Sequence, residues 1–208
     1  MKGKEKGAAG RSRAVYDSLA SGYDAAMRPL ERWFLARLRR QALAALPEGS
    51  RILEVGAGTG LNFPFYPREV ALGVASELSC EMIRIGKRKP RPGGVHFVQA
   101  AAERLPFADG SFDAAFATLV FCSVKSPAEA FAELRRVVRP GGTVKLLEHV
   151  RPEGLLGWAF DALSLLTVAL FEDHFNRRTA DEARRAGLKT VRTERRFLGI
   201  IQLIECRV

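Results

Sequence analysis

Histidine and cysteine are scarce in this 208-residue chain, with three of each. Cys80, Cys122 and Cys206 lie far apart, with no CxxC pair and no regular ladder. Neither a disulfide framework nor a zinc clip is expected, and the thiols read as reduced ones. His96, His149 and His174 have no partners at ligand spacing, so no metal site emerges. The basic start MKGKEKGAAGRSR lacks the apolar h-region of a secretory signal, and a cytoplasmic location is expected. Long hydrophobic runs are missing too: Gly154 to Phe171 is apolar, but Asp161 interrupts it and it is short for a bilayer span. No internal repeat or low-complexity segment occurs.

What is present is positive charge. Thirty-three Lys and Arg against 23 Asp and Glu leave a net charge of +10, which favours an anionic partner: nucleic acid, an acidic substrate or a negatively charged lipid surface. With 47% hydrophobic and 27% charged residues, the chain fits neither wholesale disorder nor a multispan membrane protein. One domain over residues 13–208 is expected, after a disordered basic arm at 1–12.

From Arg13 to Leu46 the apolar residues recur at threes and fours, with breaks near Ser21-Gly22 and at Pro29, which predicts two helices. Arg32, Arg37, Arg39 and Arg40 share the second helix with Trp33, Phe34, Leu35 and Leu38; that composition suits either a membrane surface or a solvated basic face over a packed one. Strands are predicted at Arg51–Val55, Val70–Ala75, Val95–Val98, Phe112–Leu119 and Thr143–Leu147, with helices at Cys80–Lys87 and Ala128–Val138 between them. Lys189–Arg195 and Ile200–Arg207 read as a hairpin at one sheet edge. The alternation implies an α/β fold with a doubly wound, mostly parallel sheet.

Gly56-Ala57-Gly58-Thr59-Gly60 follows the first strand directly, with Glu54 two residues before it. A glycine turn lets backbone approach a ligand where Cβ atoms would intrude. No GK[ST] follows, which excludes a P-loop, and GxGxxG is not met. An acidic residue there suits a cationic or amino-bearing ligand.

The run Glu54 to Gly60 resembles the first motif of the class I S-adenosylmethionine-dependent methyltransferases, which cradles the methionine part of the donor. Further phrases resemble that family in order: Leu105-Pro106-Phe107 with Ser111-Phe112-Asp113, then Leu119-Val120-Phe121-Cys122-Ser123-Val124, Arg139-Pro140-Gly141-Gly142 and Leu147-Glu148-His149-Val150. The resemblance implies a Rossmann-like, seven-stranded sheet with N-terminal lid helices at 13–46, a cofactor-binding core at 51–150, an acceptor-side helical cover at 151–188 and an antiparallel C-terminal hairpin at 189–208. It implies S-adenosylmethionine as cofactor, held by Glu54, Gly56, Ala57, Gly58, Gly60, Asn62, Glu77, Leu78, Met82, Ala101, Ala102, Glu103, Thr118 and Leu119. Glu77 is the expected ribose acid. Ala101 stands where many relatives have aspartate, so the adenine contact falls to Glu103, to Ala102 backbone or to water. In the segment after the fourth strand, only Thr118 and Leu119 are expected to face the crevice.

Methyl transfer depends mainly on positioning. The Tyr16-Asp17 and Tyr23-Asp24 pairs resemble the lid of quinone and phospholipid methyltransferases; the tyrosines either close over the cofactor or anchor the helix. His149 is the candidate base, or else orders its own loop. Trp158, His174 and Arg177 are candidate acceptor-side residues, the last two also readable as a helix-capping cluster.

Overall resemblance is to bacterial phosphatidylethanolamine N-methyltransferases and thiol methyltransferase-like proteins. It implies a lipid amine as acceptor at an anionic membrane surface, with a small thiol or a quinone precursor as alternatives. The protein is expected to be a monomer or weak homo-oligomer. A silent nucleic-acid-binding module is the reading from outside enzymes, and no RNP, helix-turn-helix or finger pattern supports specific nucleic-acid recognition.

Overall fold

The structure, a computed structural model, describes residues 2–44, 46–152, 157, 158, 160, 161, 164, 174 and 176–208. Seven strands form one sheet: β1 Ser50–Val55, β2 Val70–Glu77, β3 Val95–Gln99, β4 Phe112–Thr118, β5 Val138–His149, β6 Lys189–Arg196 and β7 Ile201–Arg207. Their order is β3-β2-β1-β4-β5-β7-β6. Strands β1 to β5 run parallel, whereas β7 lies antiparallel between β5 and β6. The order reverses between β1 and β4, and the crevice beyond their C-terminal ends is where such sheets bind ligands.

Both sheet faces are covered, so the central strands are apolar on both sides. Along β4, Ala114 and Phe116 join a core cluster with Leu38, Leu43, Phe63 and Tyr66, while Ala115 and Ala117 join another with Phe121, Phe131 and Leu134. This is the period-two alternation of a strand between two layers. Phe121 stacks on Phe131 with ring centroids 4.1 Å apart, and burial of each such ring contributes roughly 1.5–3 kcal/mol.

Helices α3 (Cys80–Gly86) and α4 (Pro127–Val137) begin where the sequence supplies caps. Ser79 Oγ accepts from the Met82 amide and Ser126 Oγ from that of Glu129, with Pro127 in the first turn of α4. Helix α5 covers Thr179–Arg185. The predicted start of β5 at Thr143 moves to Val138, because Val138 pairs with Phe112 and the ladder resumes at Thr143 opposite Ala114. The Pro140-Gly141-Gly142 turn is therefore an irregularity within the strand.

The N-terminal region departs most from expectation. Helix α1 spans Lys2–Leu30 and passes through Gly22 without a break. The segment read as a disordered arm lies in this helix; Lys, Glu, Ala and Arg between its glycines have favourable helix propensities. Pro29, which has no N–H to donate to the preceding turn, is followed by a π-helical turn at Glu31–Leu35 and then α2 at Ala36–Leu43. Much of the cover expected at 151–188 lies outside the described residues. Among those described, no helix is long and apolar enough to cross a membrane.

Candidate active site

A cavity of about 810 Å³ opens at the reversal point between β1 and β4. Its floor is the glycine turn. Gly56 has φ +67°, and a Cβ there would come within 2.5 Å of Val120, so both the turn and the packing require glycine. At Gly58 (φ +55°) a Cβ would meet nothing within 4 Å, and that backbone faces open space.

Glu77, at the end of β2, stands on the cavity wall. Its Oε2 accepts from the Gly58 amide and its Oε1 from the Ser79 amide, each at 2.8 Å. Burial raises its pKa, with the two amide hydrogen bonds acting against the shift. Each carboxylate oxygen keeps a second lone pair, so Glu77 can accept both hydroxyls of a ribose. Leu78, Met82, Ala101 and Ala102 line the same side. A wall of backbone and apolar side chains with one oriented carboxylate fits the nucleoside part of S-adenosylmethionine.

Twelve of the fourteen residues expected to bind cofactor line the cavity; Glu54 and Gly60 do not. Glu54 is fully buried beneath it, accepting from Asn62 Nδ2 at 2.5 Å and from the Tyr66 hydroxyl at 2.7 Å. Burial lifts its pKa to about 6 against the hydrogen bonds of Asn62 and Tyr66. Glu54 therefore supports the site through Asn62 and does not present its charge to a ligand. Glu103 lines the cavity, but its Oε1 accepts from the Lys125 and Ser126 amides and so ties two loops together. Beyond Thr118 and Leu119, the cavity is also lined by Val120, Ser123 and Val124. Leu119 has φ +57°, a strained conformation for leucine. The turn it makes delivers the Val120 and Phe121 amides to Glu148 Oε1.

Tyr16 and Tyr23 both line the cavity from α1. Burial pushes the Tyr23 phenol up to about 12, with Arg39 acting against the shift, so it stays protonated. The neighbouring aspartates act as pins. Asp17 accepts from the Ser79 hydroxyl at 2.6 Å and from the Glu81 amide at 3.2 Å. Burial works to raise the pKa of Asp17, but these bonds together with Arg13 hold it below the usual carboxylate range. Asp24 accepts from Thr59 of the glycine turn at 2.6 Å and pairs with Lys89 at 2.5 Å. A seven-residue spacing puts both Tyr-Asp pairs on one helix face.

Arg39 is the functional candidate the sequence reading missed, having grouped it with Arg32, Arg37 and Arg40 as lying either on a membrane surface or on a solvated basic face. It is 3% exposed and lines the cavity. Its Nη1 donates to Asn62 Oδ1 at 2.9 Å and to Thr118 Oγ1 at 2.5 Å, while its Nε and Nη2 meet Glu31 Oε1 at 3.0 and 2.9 Å. No local pattern distinguishes Arg39 from Arg37 or Arg40, but the buried step of the 3.6-residue period, between Leu38 and Ala42, includes it.

The remaining candidates lie elsewhere. His149 ends β5 opposite Ile201 and is not among the described lining residues, so its expected role as base gains no support from its position. The His174 amide donates to the Cys122 carbonyl, and Arg177 Nη1 donates to that of Phe121 at 2.6 Å; both brace the loop after β4. Trp158 is 72% exposed. None of these three lines the cavity.

Residues 53–146 match the family model described as methyltransferase domain. A demethylmenaquinone methyltransferase of Renibacterium salmoninarum is 38% identical over 144 residues, 67% of this chain and 59% of that protein. A human thiol S-methyltransferase is 40% identical over 114 residues, 52% of this chain and 46% of that protein. An S-adenosylmethionine-dependent methyltransferase from Thermotoga maritima superposes with a TM-score of 0.67 at 24% identity, covering 93% of this chain and 98% of that one. Residues 53–146 therefore carry the methyltransferase domain of this family model, and the chain as a whole has the fold of the S-adenosylmethionine-dependent methyltransferases. It spans about three-fifths of the length of the Renibacterium relative.

Proposed function

We propose that the protein transfers a methyl group from S-adenosylmethionine to a small apolar acceptor that reacts as an anion, foremost a ring carbon of a quinol. The observation that carries this is Arg39, a buried cation hydrogen-bonded to Thr118 where β4 meets the cavity. The Arg39 Nε and Nη2 are paired with Glu31, so what it offers the acceptor is the Nη1 hydrogen bond beside Thr118, which would orient a phenolate oxygen; attack of the ring carbon on the methyl would release S-adenosylhomocysteine, with the ring proton passing to solvent. An ammonium acceptor would need a base as well; no histidine or aspartate occurs among the described lining residues, Glu77 and Glu103 are engaged with backbone amides, and Glu129 is exposed. The bound donor supplies an electrophilic methyl; the chain's own residues bind, orient and exclude water. Glu77 would hold the ribose, the glycine turn the amino-acid end, and Tyr16 and Tyr23 would roof the site.

The likeness to demethylmenaquinone methyltransferase supports this acceptor class and gives no support to phosphatidylethanolamine. A small thiol is the second reading, since it too reacts as its anion and a human thiol S-methyltransferase is among the relatives. The test is transfer of labelled methyl from S-adenosylmethionine to a reduced demethylated naphthoquinol, a short alkyl thiol or phosphatidylethanolamine vesicles, with products resolved by mass spectrometry. Label on the quinol ring is the expected outcome. Label on the thiol alone would replace the acceptor and keep the anion argument; label on the amine would overturn both.

A further inference from the structure

We propose that the π-helical turn and the tip of the β6–β7 hairpin together form a docking surface for an anionic lipid bilayer. Two contacts bring these distant segments side by side: the Phe34 and Phe197 rings, with centroids 4.8 Å apart, and a 2.8 Å hydrogen bond from Gln41 to Glu194. Four of the seven large apolar side chains that are exposed among the described residues belong to this seam. Leu198 is 87% exposed, Trp33 85%, Phe197 52% and Leu30 42%.

The hairpin tip holds this display at a cost. Phe197 and Leu198 have φ +50° and +57°, a left-handed pair at positions where glycine or asparagine would sit without strain. Strain held to expose large apolar groups is the reverse of what solubility favours. Protection of an edge strand accounts for the charges on β6 but not for the apolar tip.

The rim says what the surface meets. Residues 28–40 contain five arginines and one glutamate; of the five, Arg39 is buried in the site and Arg28, Arg32, Arg37 and Arg40 are exposed. Residues 189–199 contain Lys189, Arg192, Arg195 and Arg196 against Glu194 alone. Beside the hairpin, a groove of about 600 Å³ is lined by Arg151, Arg178, Arg184 and Arg195 against one acid, Asp181; Arg184 is paired with Asp181 and Arg151 with Asp161. Apolar tips ringed by cations fit a membrane interface, where the tips enter the acyl boundary and the arginines stay with headgroup phosphates.

The inference does not depend on the acceptor, and its test reads binding without turnover. The full chain is sedimented with vesicles of pure phosphatidylcholine and of equal parts phosphatidylcholine and phosphatidylglycerol. Binding to the anionic vesicles, weakened by salt, is expected, and Trp158→Phe should leave a Trp33 emission that shifts to the blue on binding. Trp33→Ser combined with Leu198→Gly should weaken binding at least tenfold. Leu198→Gly alone should keep or raise the melting temperature, which separates lost docking from misfolding. Equal binding by wild type and double variant would overturn the proposal. So would the absence of vesicle binding, or lipid-free dimerisation that the same substitutions abolish.

Discussion

The two sides of the cavity are built by opposite means. The side proposed for the donor is made mostly of backbone: the glycine turn, the ends of β1 and β2, and one carboxylate fixed by two amides. The lid side is made of side chains from α1 and α2 that reach across the chain, Arg39 to Thr118, Asp17 to Ser79 and Asp24 to Thr59. Backbone sites tolerate changes of neighbouring side chain and suit a ligand common to a family. Sites made of long-range polar contacts change with single substitutions and suit the part of the reaction that varies.

The sharpest break in this comparison is Arg39→Ala. It leaves Glu31 with no partner for its Oε1 and removes donors to Asn62 and Thr118, so a loss of about 3–5 kcal/mol of unfolding free energy is expected in denaturant titration. A donor side that is autonomous should still bind S-adenosylhomocysteine in whatever fraction remains folded. Glu77→Ala tests the other side: calorimetric affinity for S-adenosylhomocysteine should fall by about 1.5–3 kcal/mol, while the Arg39 network is untouched.

Glu54 lies under both sides and sharpens the comparison through pH. Its pKa is raised from 4.5 to about 6, so between these values the native state holds the proton more tightly than the unfolded chain. Stability from this group is fully present below about 4.5 and lost as pH rises through about 6, on the order of 2 kcal/mol in all. Glu54→Gln should flatten that fall when melting temperatures are compared across the interval. A fall of equal size in the variant would show that Glu54 is not its source. The smallest expected effect is that of Asp24→Asn, about 1 kcal/mol or less in stability because the contact is half-exposed. Its S-adenosylhomocysteine dissociation should nonetheless be faster in stopped-flow displacement.

The contrast also explains what could be read from sequence. The parallel sheet was legible because each strand carries its own apolar run, and the glycine turn because its chemistry sits in five consecutive residues. The place of Glu77 on the cavity wall was legible because it follows from the strand before it. Arg39 was hidden: its burial depends on Thr118, 79 residues away, and its neighbours Arg37 and Arg40 are exposed. Glu54 was misread for a related reason, since the side chains that bury it, Asn62 and Tyr66, arrive from the segment after the turn. The break expected at Gly22 failed because one glycine costs a helix only about 1 kcal/mol, which contacts on both sides of it offset.

The pins at Asp17 and Asp24 turn a statement about shape into one about time. A helix pinned at both Asp17 and Asp24 does not lift from the cavity by bending at one of them; both contacts have to open in the same event. On the proposed reading, release of the spent donor would wait on both openings together, and its timing would be governed by Asp17 and Asp24, which are not among the residues lining the cavity.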